Sequence, residues 1–248
     1  TDPYTGTDLN AMLGENQTNI NSVIGSANYD IGHVVTGVNL GGLAQLGVVC
    51  GNSKARAGTG LSSPTGDYFW VSYVCHEMGH QFNATHSFNS NTGPCVENRS
   101  GTTAYEPGGG TTLMSYAGVC GADNIASQSN AYFHTASYDQ IIAFATSRNC
   151  DVETATGNLV PTANAGVDRT IPMGTACTVT GTASDANGDA LTYCWEQKDI
   201  GVAQTLVEMM ATDNGTSPIF RSFLGSTAPA RTFPRYIDVL DGTLSAGE

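Results

Sequence analysis

Nine Lys plus Arg against 22 Asp plus Glu leave a formal charge of -13 on 248 residues, a balance that repels a phosphate backbone and an anionic bilayer alike, so nucleic-acid binding is not expected. With 40% hydrophobic residues the chain can build packed cores and is long enough for one large domain or two ordinary ones. No run approaches the roughly 18 apolar residues of a membrane span, and the amino end TDPYTGTDLN has neither a basic nor an apolar leader character, so any export signal is expected upstream.

In chain order, residues 8–25 (DLNAMLGENQTNINSVIG) place apolar side chains at 9, 12, 13, 20, 23 and 24, a helical period that Gly14 weakens. YDIGHVVTGV (29–38) and GLAQLGVVC (42–50) are β-branched runs bounded by Gly and Asn and predict strands; KARAGTGLSSPTG (54–66) predicts a loop. From Asp67 the pattern turns helical, with Phe69, Tyr73, His76 and His80 on one stripe and Trp70, Val74, Met78 and Phe82 on another, which predicts a buried central helix. Residues 87–130 are dominated by Asn, Gly, Ser and Thr, apart from TTLMSYAGVC, and predict irregular structure. ASYDQIIAFATSRN (136–149) restores helical spacing, with Ser137 and Gln140 fitting a capping box. DVETATGNLVPTANAGVDRT (151–170) has the polar, proline-containing look of a linker entering a β-rich module, and the linker itself is placed at 151–160. After it, TACTVTGTASD and ALTYCWEQ read as alternating strands joined by the turn DANGD, so residues 161–248 predict an all-β module that the sequence leaves incomplete at DGTLSAGE.

Chemistry concentrates in HEMGHQFNATH (76–86), which holds three of the five histidines. Residues four apart share a helix face, so His76 and His80 can present two imidazoles to one ion, with Glu77 beside the first and angled towards a water on that ion. A third ligand, His86, cannot lie on the same straight helix and still meet that metal. The helix must end near position 83 in a residue that tolerates a left-handed conformation, and asparagine is among the non-glycine residues that do. Against this stands the ordinary reading, in which a bare HExxH arises by chance and histidines are surface or satisfied core residues. The third histidine at this offset weighs against it.

At these residues the chain resembles the metzincin zinc endopeptidases, whose motif is HExxHxxGxxH followed by a methionine turn. Asn83 stands at the motif's glycine, and LMSYAG offers Met114 as the turn methionine, 28 residues after His86. GGLAQLGVVC, KARAGTG and HEMGHQFNATHSF look most like the bacterial reprolysin-like (adamalysin-related) secreted peptidases, over roughly residues 1–150. Two departures stand out: Ser87 follows the third histidine where venom reprolysins have aspartate, and Tyr116 resembles the astacin and serralysin tyrosine.

The resemblance implies an α+β, zincin-like catalytic domain (1–150) and one catalytic zinc on His76, His80 and His86. It implies Glu77 as general base and GLAQLGVVC as the edge strand on which a protein or peptide substrate adds. It also implies a strand, helix and strand ahead of residue 1. Tyr116 is either an oxyanion stabiliser or a packing residue under the site. PTANAGVDRT, GTASDANGD and LTYCWEQ resemble the start of a PKD-type or immunoglobulin-like β-sandwich with Trp195 in its core. The implied activity is secreted zinc endopeptidase; the opposing reading is an inactive metzincin fold serving as an adhesion or binding module on a cell surface. The sequence carries no sign of the oligomeric state.

Seven cysteines without a CxxC pair, in a chain with few lysines, fit an exported protein with disulfides and one thiol left over. Cys95 with Cys120 would staple the loop before the methionine turn, Cys50 with Cys150 would tie the edge strand to the last helix, and Cys177 with Cys194 lie on consecutive expected strands. Cys75 then remains as a buried thiol. His33 and His134 are expected to be structural. Asp185, Asn187 and Asp189 offer oxygens at alternate positions to a calcium ion, although an acidic hairpin turn needs none.

Overall fold

The computed structural model describes residues 2–248. Helix α1 (Leu9–Val23) starts where the Asp8 carboxylate accepts the Asn10 N–H at 2.9 Å, and it lays Leu9 and Met12 against Val34, with Leu40 and Leu43 packed alongside. Its buried amides are matched: Asn16 Nδ2 donates to the Ala55 carbonyl (2.7 Å) and Gln17 Oε1 accepts the Ala55 N–H (2.8 Å).

The helix covers a sheet of β1 (Val34–Thr36), β2 (Gly41–Ala44) and β3 (Ala57–Gly60), in the order β1-β3-β2. β1 runs parallel and β2 antiparallel to β3. The strands expected at 29–38 and 42–50 are therefore present but short, and the segment expected as a loop supplies the central strand. β3 escapes strand propensity because its sequence, AGTG, is chosen for closeness. A Cβ on Gly58 would meet Val34 Cγ1 at 2.8 Å, and one on Gly60 would collide with the Val38 carbonyl. Residues 45–51 leave the sheet; the N–H groups of Gly47 and Val48 donate to the carbonyls of His80 and Gln81 (3.0 and 2.9 Å) and so close the end of the central helix.

That helix is one rod in three parts: α2 (Gly66–Phe69), a widened π-helical stretch (Trp70–Cys75) and α3 (His76–Gln81). Residues 87–130 are irregular apart from two 3₁₀ turns (Gly93–Cys95 and Gly121–Asp123) and a bridge between Phe88 and Glu106. Disulfides Cys95–Cys120 and Cys50–Cys150 pin this region and the following helix α4 (Thr135–Ala145). α4 begins earlier than the Ser137–Gln140 capping box requires: His134 Nδ1 accepts the Ala136 N–H (3.1 Å), which frees Gln140 to accept the Thr85 N–H at 3.0 Å.

Beyond residue 161, β4 (Thr162–Asn164) pairs with β6 (Thr182–Ser184), and β5 (Cys177–Thr180) with β7 (Ala230–Phe233), both antiparallel. Two helices, α5 (Leu206–Ala211) and α6 (Tyr236–Asp241), stand among them, so the expected all-β sandwich gives way to small ladders with helices. At α5 the reason is local. Thr205 and Glu208 form a reciprocal capping box ahead of the helix formers Leu, Glu and Met.

Cys177 and Cys194 are free rather than bridged. Cys177 sits opposite Phe233 on the β5–β7 ladder, whereas Cys194 follows a separate bridge at Tyr193–Ser226 and places its Sγ 3.1 Å from the Phe223 carbonyl. Of the residues offered to calcium, two are engaged in the turn itself: Asp185 Oδ1 accepts the N–H groups of Asn187 (2.8 Å) and Asp189 (3.1 Å), and the Asn187 amide bonds Leu159 and Gly157. The turn closes on its own backbone, the arrangement of an acidic hairpin turn that needs no ion.

Residues 196–222 lie against the first 150. Glu196 accepts the Thr135 N–H (2.7 Å), Arg99 donates to the Gly201 carbonyl (2.8 Å), the Leu206 N–H donates to Asp123 (3.0 Å) and the hydroxyls of Tyr132 and Ser222 meet at 2.7 Å. Among the described residues no helix is long and apolar enough to cross a membrane.

Candidate metal centre and cleft

Helix α3 carries His76 and His80 one turn apart and ends at Phe82. Asn83 follows with φ 71°, the left-handed value that the spacing required, and the chain closes in a Schellman motif: the Ala84 N–H reaches the Gly79 carbonyl (2.9 Å) and the Asn83 N–H reaches that of His80 (2.8 Å). The reversal swings His86 back over the helix. His86 Nε2 lies 3.1 Å from His80 Nε2 and 3.2 Å from His76 Nε2.

Each of these rings is locked by its other nitrogen. Nδ1 of His76, His80 and His86 faces the carbonyl of Leu113 (2.7 Å), Ala84 (2.7 Å) and Asn98 (2.6 Å) respectively. A carbonyl only accepts, so each Nδ1 carries the proton and each Nε2 is left with a lone pair. Three lone pairs aimed at one point repel unless a cation sits between them. Tetrahedral zinc at 2.0–2.1 Å from each nitrogen sets neighbouring nitrogens roughly 3.3 Å apart, close to the spacing found. The donor set therefore fits the ion.

Electrostatics favour the same conclusion. Burial first, then the neighbouring imidazoles, hold the His76 pKa well below the ordinary value; burial lowers that of His80, and burial and His80 together push His86 down to about 4. Each shift favours the neutral imidazole, the form that can bind a cation. Glu77 is 6% exposed, and burial raises its pKa to about 8, a rise that a nearby divalent cation opposes.

Glu77 lies directly beneath edge strand β2, where a Cβ on Gly42 would collide with its carboxylate. Gly41, Gly42, His76 and Glu77 line one side of a cleft of about 280 Å³, with Tyr68, Tyr73, Tyr116 and Ser129 among the other lining residues. Tyr116 packs its ring edge-on to His86 (4.5 Å between centroids) and stacks on Phe88 (4.7 Å), and burial and the Glu77 charge push its phenol up to about 12. Met114 is fully buried: its sulfur fills the space beside Gly79, and its carbonyl accepts the Ser87 N–H at 3.0 Å.

His33 and His134 stay outside this group. His33 Nε2 bonds Thr59 Oγ1 (2.8 Å), and His134 caps α4. Among the described residues the only His/Cys/Asp/Glu group able to hold a metal is His76, His80 and His86.

Several contributors were not visible as sequence signals: the three orienting carbonyls, Gln140 and Glu106. Gly42 carried a usable signal that the strand reading passed over, since a glycine inside a strand run marks a close approach. No curated protein sequence matches the chain. A model of the metallo-peptidase family M12B, reprolysin-like, matches residues 3–144, the span that contains the histidine triad, Glu77, Met114 and the Cys95–Cys120 disulfide. The chain accordingly belongs to the reprolysin-like metallo-peptidases of family M12B, zinc peptidases whose substrates are proteins.

Proposed function

We propose that the protein is a secreted zinc endopeptidase in which His76, His80 and His86 hold the metal and Glu77 is the general base. The observation that carries this reading is the convergence of three Nε2 lone pairs beside a buried carboxylate, at the side of a cleft under a sheet edge. Zinc held there supplies Lewis-acid polarisation of the scissile carbonyl and lowers the pKa of water.

A peptide adds antiparallel to β2 through main-chain hydrogen bonds, which leaves side-chain selection to the cleft. Glu77 takes the proton of the attacking water and passes it to the leaving amine. The Tyr116 phenol, protonated across the working pH range, donates to the oxygen on which negative charge develops. Its stacking on Phe88 supports a second role, packing beneath His86. Met114 under Gly79 forms the methionine turn, and Asn83 the helix-end turn. Residues 151–160 are read as a linker and 161–248 as an accessory region, in which two antiparallel ladders are interrupted by α5 and α6. Two disulfides support export.

The test is zinc stoichiometry together with casein hydrolysis. One zinc per chain is expected in the wild type and in Glu77→Ala, with hydrolysis reduced about 10²–10⁴-fold in the variant. Zinc at one per chain without hydrolysis by the wild type favours the adhesion or binding-module reading. A His86→Ala protein that keeps its zinc and activity removes the proposed ligand set.

A further inference from the structure

We propose that Glu106 is a positioning residue of the metal centre, tying the loop of the third ligand to the segment that orients the first; this rests on the zinc-site reading above. Glu106 is 2% exposed, and among the described residues it forms no salt bridge. Its carboxylate is instead surrounded by five donors. Oε1 accepts from Ser87 Oγ (2.6 Å) and from Thr112 Oγ1; Oε2 accepts from the N–H groups of Thr111 (2.7 Å) and Thr112 (3.0 Å) and from Thr111 Oγ1 (3.3 Å).

The two halves of this cage are each one residue from the metal centre. Ser87 follows His86, and Thr112 precedes Leu113, whose carbonyl locks His76. The turn PGGG (107–110) makes the arrangement possible by returning the chain on itself. Gly110 sits at φ 71°, where a Cβ would come within 2.6 Å of Ser115 and 3.2 Å of Glu106. Two oxygens on one planar group accept from both segments at once, so this side chain fixes the spacing of His86 and His76 better than one with a single acceptor oxygen can.

Chelator competition for zinc, the visible spectrum of the cobalt-substituted protein and the unfolding midpoint of the metal-free protein are compared for the wild type, Glu106→Gln, Ser87→Ala and the double variant. Zinc affinity should fall about 10–100-fold in Glu106→Gln. It should fall at least threefold in Ser87→Ala, which cuts only the link to the ligand loop, and no further in the double variant than in Glu106→Gln. The cobalt bands should shift in both single variants. A Glu106→Gln protein with a lower unfolding midpoint but unchanged metal affinity and cobalt spectrum overturns the proposal and makes the cage purely structural. If Glu106→Gln does not fold, Ser87→Ala decides alone, and unchanged affinity overturns the proposal. A wild type that binds no zinc overturns the metal-centre reading as well, whereas zinc binding that is equal in wild type and variants overturns this inference only.

Discussion

Asn83 shows how a departure from a familiar pattern is resolved by backbone chemistry. Its left-handed φ costs most residues about 1–2 kcal/mol, and asparagine less because its amide bonds locally. Replacing it with glycine trades this strain for extra chain entropy, so Asn83→Gly should change stability by no more than about 1 kcal/mol, whereas β-branched Asn83→Val should lose about 1–3 kcal/mol in urea unfolding. Gly42 makes a stricter demand, since Gly42→Ala places a methyl against the Glu77 carboxylate. That variant should fold and bind zinc yet lose on the order of 10²-fold in kcat/KM, the effect of moving a reacting group by about an ångström. At this scale the sequence displayed the three histidines and Glu77 by spacing alone. It hid the carbonyls of residues 84, 98 and 113 because every residue has one, and only the fold decides which three face the imidazoles.

The elements most legible in the sequence were the helices with a sustained 3.6-residue period: α1, the central helix and α4 all lie within a few residues of where periodicity put them. β3 was illegible because its residues were selected for small size, and α5 because a capping box within an otherwise weak pattern is a short signal. The disulfides follow the same division. Cys95–Cys120 and Cys50–Cys150 bracket recognisable elements, while Cys177 lies on the β5–β7 ladder and Cys194 just past the isolated Tyr193–Ser226 bridge, a difference that the alternation of their segments did not reveal. Cys50–Cys150 spans 100 residues and joins the turn that closes α3 to the end of α4. Its removal in a Cys50→Ser/Cys150→Ser protein should lower stability by about 2–5 kcal/mol, measured by denaturant unfolding.

For the molecule as a whole, acid is the expected vulnerability. Burial lowers the pKa of His33, so as pH falls the unfolded chain takes up a proton before the folded one does. Its contribution is complete above about pH 6.5, the unperturbed value, and is lost as pH falls below it. The urea midpoint of chelated protein should therefore drop from pH 7 to pH 5, and less steeply in His33→Gln than in the wild type. The sequence suggested a linker and a separate module; it could not show that residues 196–222 return to bond Thr135, Arg99, Asp123 and Tyr132. Arg99 adjoins Asn98, whose carbonyl holds His86, so the late-sequence segment meets the metal centre one residue away. Melting of that segment and melting of the peptidase fold are then a single cooperative event: calorimetry should record one heat-absorption peak, and zinc should raise its temperature as a whole.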